Sequence, residues 1–182
     1  LDAGDLRGFY DQAARVLKAR EGWVTIVLLE PSGRQLVNMR RPLGALLPPS
    51  PVPDLVRQVA ETGRPVVSDL FVAAILGTPV IAVQVPVVRE GVVRYVLGAA
   101  MTPDGLGRIF AEQKILSDRR AAILDRRKII IVRSTGDMVG RPATLELSQR
   151  SAASPEGAFR GTTLEGIPMY AGFSRSGLSG WT

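Results

Sequence analysis

Between residues 5 and 20, apolar side chains fall at Leu6, Phe9, Tyr10, Ala13, Val16 and Leu17, with charged residues between them. This 3.6-residue period predicts an amphipathic helix, which Gly22 stops. The pattern then changes. Residues 23–29 are a continuous β-prone run, residues 30–33 (Glu-Pro-Ser-Gly) read as a turn, and residues 34–41 alternate as a second strand. The Pro-rich stretch 42–53 excludes regular structure. It leads into a helix over 53–62, with Asp54 in the first turn and Gly63 past the end. Residues 65–70 read as extended chain. Residues 79–88 and 92–101 predict a hairpin around the three-residue loop Arg89-Glu90-Gly91, and residues 104–114 a further helix.

Residues 70–88 carry no charge, a length that suits a membrane-crossing helix. Gly77, Pro79, Gln84 and Pro86 interrupt that stretch, and β-branched residues alternate after Pro79, so it reads as a loop followed by a buried strand. Past residue 120 the order of elements starts again. Residues 121–124 are apolar, 125–128 form a turn, 129–133 a strand, 143–152 a short helix, and 157–163 with 167–173 a hairpin around Leu164-Glu165-Gly166. Aligning Leu29-Glu30 with Leu124-Asp125 gives an offset of 95 residues, at which Gly33 corresponds to Lys128. The order recurs more clearly than the residues do. The expected fold class is α+β: two similar modules, each an antiparallel sheet flanked by helices, preceded by an N-terminal helix. Residues 179–182 read as the start of a last strand.

Composition narrows the chemistry. The 182 residues contain no Cys and no His, which removes thiol nucleophiles, disulfides, zinc-finger sites and every His-based general acid or base. There is no phosphate-binding Gly-Lys-Ser/Thr loop, no dinucleotide fingerprint and no Gly-x-Ser-x-Gly elbow. Asp69, Asp104, Asp118 and Asp125 are scattered over different elements, so no catalytic pair, metal site or cofactor is expected. The net charge is +6, and residues 92–182 hold 13 basic and 8 acidic groups. Nucleic-acid binding is a distant alternative, because the basic residues are not interleaved with aromatics and no binding motif is present.

The order of elements resembles a double Cache domain, the tandem PAS-like extracellular sensor of bacterial transmembrane receptors. The resemblance rests on residues 23–36 (WVTIVLLEPSGRQL), 63–71 (GRPVVSDLF), 79–88 with 95–99, and 157–182 ending SRSGLSGWT. It implies a truncated stalk helix over 1–22, a membrane-distal PAS-like module over 23–103, and a connecting helix with a membrane-proximal module over 104–182. It further implies a periplasmic or extracellular, small-molecule sensor domain of a membrane-bound histidine kinase in two-component signalling. Such a receptor is a homodimer with flanking transmembrane helices outside this sequence and catalysis in a cytoplasmic part. The same input on a chemoreceptor or a diguanylate cyclase is the alternative. The Tyr, Arg and Trp cluster with a later Asp, found in amino-acid-binding members, has no match, since Trp23 is the only Trp before position 181.

In such a fold the distal pocket lies between the sheet and the segment crossing it. If Leu36 faces inward, alternation points Asn38 and Arg40 at the pocket, Arg40 as a clamp for a carboxylate; a one-residue slip exchanges Arg40 with Arg41. Ser68, Asp69 and Phe71 lie on the segment that would cover the pocket. Asp69 reads as a ligand acceptor or a partner of Arg40, and Phe71 as ligand contact or core. Gln84, in a Val-rich strand, needs a partner from ligand, water or a neighbouring strand. Tyr95 stands on the adjoining strand, its phenol within reach of the same space or at the core rim. A carboxylate is the ligand class these residues suggest.

Overall fold

The Asp5 side chain accepts from the Gly8 N–H at 2.8 Å and so caps α1, Leu6–Ala19. The computed structural model describes residues 5–113, 115 and 119–182, and the chain divides into two compact units, 1–106 and 107–182.

In the first unit α1 is followed by β1 (Trp23–Leu29) and β2 (Gln35–Asn38). β2 ends three residues earlier than the alternation predicts, and Asn38 is the cause. Its Oδ1 accepts from the Arg40 N–H at 3.1 Å and its carbonyl from the Arg41 N–H at 2.9 Å, which folds the chain into a turn. α2 (Pro53–Thr62) starts on Pro53 and closes on Gly63 at φ +62°. β3 (Val66–Val67), β4 (Phe71–Val72), β5 (Pro79–Arg89) and β6 (Val92–Met101) complete the unit. The charge-free stretch is therefore β4, a turn and β5.

The sheet is antiparallel, ordered β2-β1-β6-β5-β3, with β4 added to β5. β6 is hydrogen-bonded on both edges, to β1 and to β5. The β5–β6 connection has two residues rather than the expected three. Arg89 pairs with Val92, and Glu90 and Gly91 lie at φ +51° and +76°, both left-handed as a twisted hairpin requires.

The two faces of this sheet are covered differently. On one, α1 buries Ala13 over β1 and β2 beside Ile26. On the other, Val56 and Val59 of α2 pack on Leu29 and Val96, all four essentially inaccessible. Each such side chain contributes about 1.5–3 kcal/mol. At the opposite end of that face, Val80, Ala82 and Ala100 form a second cluster with Phe71, Ala73 and Leu76.

α3 (Pro103–Glu112) carries the chain into the second unit; Lys114, where the predicted helix ends, and Asp118 lie outside the described residues. There β7 (Ala122–Leu124) pairs with β8 (Ile130–Arg133), α4 (Leu145–Ala153) follows, and β9 (Glu156–Thr162) pairs with β10 (Pro168–Ser174). Leu124 and Thr182 exchange two backbone hydrogen bonds, at 2.7 and 3.0 Å, as antiparallel strand partners do.

The 95-residue repeat is present in the hydrogen bonds. Glu30 N–H donates to Arg34 O and Gly33 N–H to Glu30 O; at the same offset Asp125 N–H donates to Ile129 O and Lys128 N–H to Asp125 O. Lys128 takes φ +64° where the first copy has Gly33 at +88°. Asp125, fully buried, holds this turn with its carboxylate, which accepts from the backbone N–H of Arg127 and Ile129, both at 2.9 Å, and from the Arg127 guanidinium.

Arg133 clamps Glu165 with two hydrogen bonds, at 2.6 and 3.1 Å, and Arg120 adds an ion pair at 3.5 Å. The Arg133 hydrogen bond, helped by Thr163, lowers the Glu165 carboxyl from the ordinary 4.5 to about 2. A group lowered on folding stabilises the fold fully above its unfolded pKa and loses that contribution as pH falls through the folded one. Glu165→Gln should therefore lower the melting temperature at neutral pH. The gap from wild type should close between pH 4.5 and 2 in parallel melts.

Candidate functional site

Small residues make space in the middle of the first unit's sheet. Ala82, Gly98 and Ala100 share the face that α2 covers at one end and residues 71–76 at the other. Between these covers lies a cavity of about 60 Å³. Thr25, Val27 and Leu29 line it from alternate positions of β1, and Val80, Ala82 and Gln84 from alternate positions of β5. Phe71 and residues 73–76 roof it.

One wall is a closed polar network. Thr25 Oγ1 donates to Asn38 Oδ1 at 2.9 Å, Asn38 Nδ2 donates to Gln35 Oε1 at 2.8 Å, and Gln35 Nε2 donates to the Pro48 carbonyl at 2.8 Å. Gln35 and Asn38, three residues apart, reach the same face because a register shift at Leu28/Leu29 puts Gln35 opposite Leu29 and Asn38 opposite Val27. Ser50 adds a buried hydroxyl oxygen that accepts from the Val52 N–H at 3.2 Å. Gln84 is different. It is 3% exposed, and its Oε1 has no hydrogen-bond partner.

Of the residues singled out from sequence, Asn38, Arg40, Phe71 and Gln84 line this cavity, with Arg40 exposed at its edge. Leu36 does not bring Asn38 there; the register shift does. Ser68, Asp69 and Tyr95 do not line it. Ser68 is buried in the sheet, where its Oγ accepts from the Ala82 N–H and its own N–H donates to the Ala82 carbonyl, both at 2.8 Å. Tyr95 sits opposite Val87 at the hairpin end, beside Glu30 and Arg94. Strand alternation turns it away from Val96, Gly98 and Ala100. Thr25, Gln35 and Ser50 were not anticipated. The polar residue at the odd position of the run 23–29 was a usable signal for Thr25, because it shares parity with Val27 and Leu29.

Wider grooves occur among the described residues, two of them lined largely by apolar side chains. One of about 520 Å³ runs between Phe9 and Val16 of α1 and the apolar face of β5 and β6; one of about 420 Å³ lies between the two hairpins of the second unit. Among the described residues, no group of three His, Cys, Asp or Glu is placed to hold a metal ion.

No protein-family model matches this chain, and no curated protein matches it. Solved structures do. The extracellular domain of rpHK1S-Z16, classed as a histidine kinase, superposes with a TM-score of 0.79 at 13% identity, over 99% of this chain and 76% of that one. Methyl-accepting Chemotaxis protein X gives 0.73 at 12% identity, over 98% and 80%. The ligand-binding domain of the Pseudomonas aeruginosa PAO1 amino acid chemoreceptor PctC, in complex with GABA, gives 0.63 at 19% identity, over 100% and 80%. The α+β fold is thus that of the extracellular sensor domains of histidine kinases and chemoreceptors.

Because Asn38 joins Thr25, Gln35 and the turn, Asn38→Ala should cost about 1–3 kcal/mol of stability with no ligand present, read from urea unfolding. A loss near zero would mean the network does not hold the wall.

Proposed function

We propose that this chain is an extracytoplasmic small-molecule sensor of double Cache type, the signal-input domain of a transmembrane histidine kinase. The observation that carries the reading is the cavity under residues 71–76, with a buried, unsatisfied amide in its wall. A structural core leaves few such groups, because each costs about 1–3 kcal/mol. The first unit is the membrane-distal, ligand-binding module and the second the membrane-proximal one. The full receptor is a homodimer in the cell membrane, with the sensor in the periplasm and catalysis elsewhere in the longer protein. Chemoreceptors share this fold, so the same input on a chemoreceptor is the second reading; a sensor does not encode its output.

The space is small. At about 60 Å³ it holds roughly two waters, less than half the ~150 Å³ that admits benzene. A ligand the size of the GABA bound by PctC therefore requires residues 71–76 to lift. Such a displacement is a differential interaction with two conformations, the only means by which a ligand can shift an equilibrium.

A thermal-shift screen with small amines, amides, alcohols, carboxylates and amino acids tests the reading. A true ligand at 100 times its Kd adds about 2.7 kcal/mol to wild type. It adds nothing to Ala82→Leu, which fills the cavity. A library that moves neither protein, or moves both equally, contradicts the assignment.

A further inference from the structure

The polar groups around the cavity restrict what it can hold, given the sensor reading on which this step rests. Arg40 is the one charged residue among those that line it, and Arg40 is exposed at the edge. A carboxylate carried inside would leave its water without a buried cation to meet it, and an ammonium would find no buried anion. Burying an unpaired charge is far more costly than burying a neutral polar group.

Among the buried side-chain nitrogens and oxygens of the lining residues, all but one already have a hydrogen-bond partner. The Thr25 hydroxyl donates to Asn38 Oδ1, Asn38 Nδ2 to Gln35 Oε1 and Gln35 Nε2 to the Pro48 carbonyl, while Ser50 Oγ accepts from the Val52 N–H. Asn38 Oδ1 takes two donors, from Thr25 and from the Arg40 N–H. Gln84 Oε1 takes none. Most of the remaining surface is apolar, with Val27, Val80, Ala82, Ala100, Phe71 and Leu76 among its residues.

We infer that the ligand of this cavity is small and uncharged: an apolar body of a few heavy atoms carrying one N–H or O–H donor, which the Gln84 carbonyl accepts. Primary amides and alcohols have this form. Gln84 is then the specificity-determining residue. Asn38, one of the candidate ligand contacts in the sequence, is a positioning residue that fixes the wall. Arg40 does not select the ligand.

The test is a three-carbon series of matched shape and different charge: propanamide, 1-propanol, propionate and propylammonium. Binding to the 182-residue chain is read by melting temperature and by titration calorimetry. Wild type should bind propanamide and 1-propanol at least tenfold more tightly than either ion. Gln84→Leu removes an unsatisfied amide at nearly constant shape, so it should fold at least as well as wild type while losing at least tenfold in affinity for both neutral probes. Arg40→Gln should leave their affinity unchanged.

Tighter binding of propionate, lost in Arg40→Gln and in the filled Ala82→Leu variant, overturns the ligand class while the cavity remains the sensor site. Neutral binding that Gln84→Leu retains overturns the role of Gln84. Failure of all four probes overturns this ligand class. The sensor reading itself then stands or falls with the wider library against Ala82→Leu.

Discussion

The first unit depends on β6, the central strand of its sheet, and on how little side chain it carries at its centre. Gly98 and Ala100 point into the face that α2 and residues 71–76 cover. A Cβ on Gly98 would lie 2.7 Å from Val27 Cγ2, so nothing larger than glycine fits without shifting the Val27 side chain. With Ala82 opposite Ala100 on β5, the centre of the sheet is a shallow floor. The larger side chains that seal the face stand at its two ends: Leu29 and Val96 beneath Val56 and Val59 of α2, and Val80 beneath Phe71 and Leu76 of the covering segment. A well-packed core fills such a gap. Here it is left open, and a buried amide faces it from the strand.

Polar chemistry within that space is unevenly distributed. The wall formed by Thr25, Gln35 and Asn38 is satisfied from within, which makes it stiff and specific in position but leaves it few bonds to offer. Gln84 Oε1 has no partner, and its strand pairs with Val66 and Gly98 through the backbone. The contrast separates architecture from recognition. A network whose members all bond one another supports the fold, whereas an acceptor left bare in a low-dielectric interior favours any donor that can reach it. The cost of the bare acceptor is returned when a donor arrives.

Much of the fold could be read from the chain because local signals and tertiary structure agree. Trp23–Leu29 and Pro53–Thr62 are strand and helix as their patterns require, with Gly63 at the predicted stop. The 95-residue repeat survives as one hydrogen-bonded turn, built on Gly33 in one copy and on a left-handed Lys128 in the other. What could not be read depends on side chains acting across the chain. Asn38 ends β2 early by bonding its own following backbone, a competition that alternation does not register. The shift at Leu28/Leu29 decides which β2 residues face the cavity, and no period-two count contains it. Ser68 looked like part of a lid but serves the ladder to Ala82, and Tyr95 is one position out of phase for the cavity face. Gln84 was visible as an amide needing a partner; that the fold supplies none is a tertiary fact.

The most direct measurement is the side-chain amide spectrum of the isotopically labelled chain, titrated with propanamide. The Gln84 side-chain amide resonances and the backbone amides of residues 71–76, 82, 98 and 100 should shift together and saturate, while the Asn38 side-chain amide stays within its network. Shifts confined to residues 107–182, or a Gln84 amide that does not move as the ligand saturates, would contradict the account.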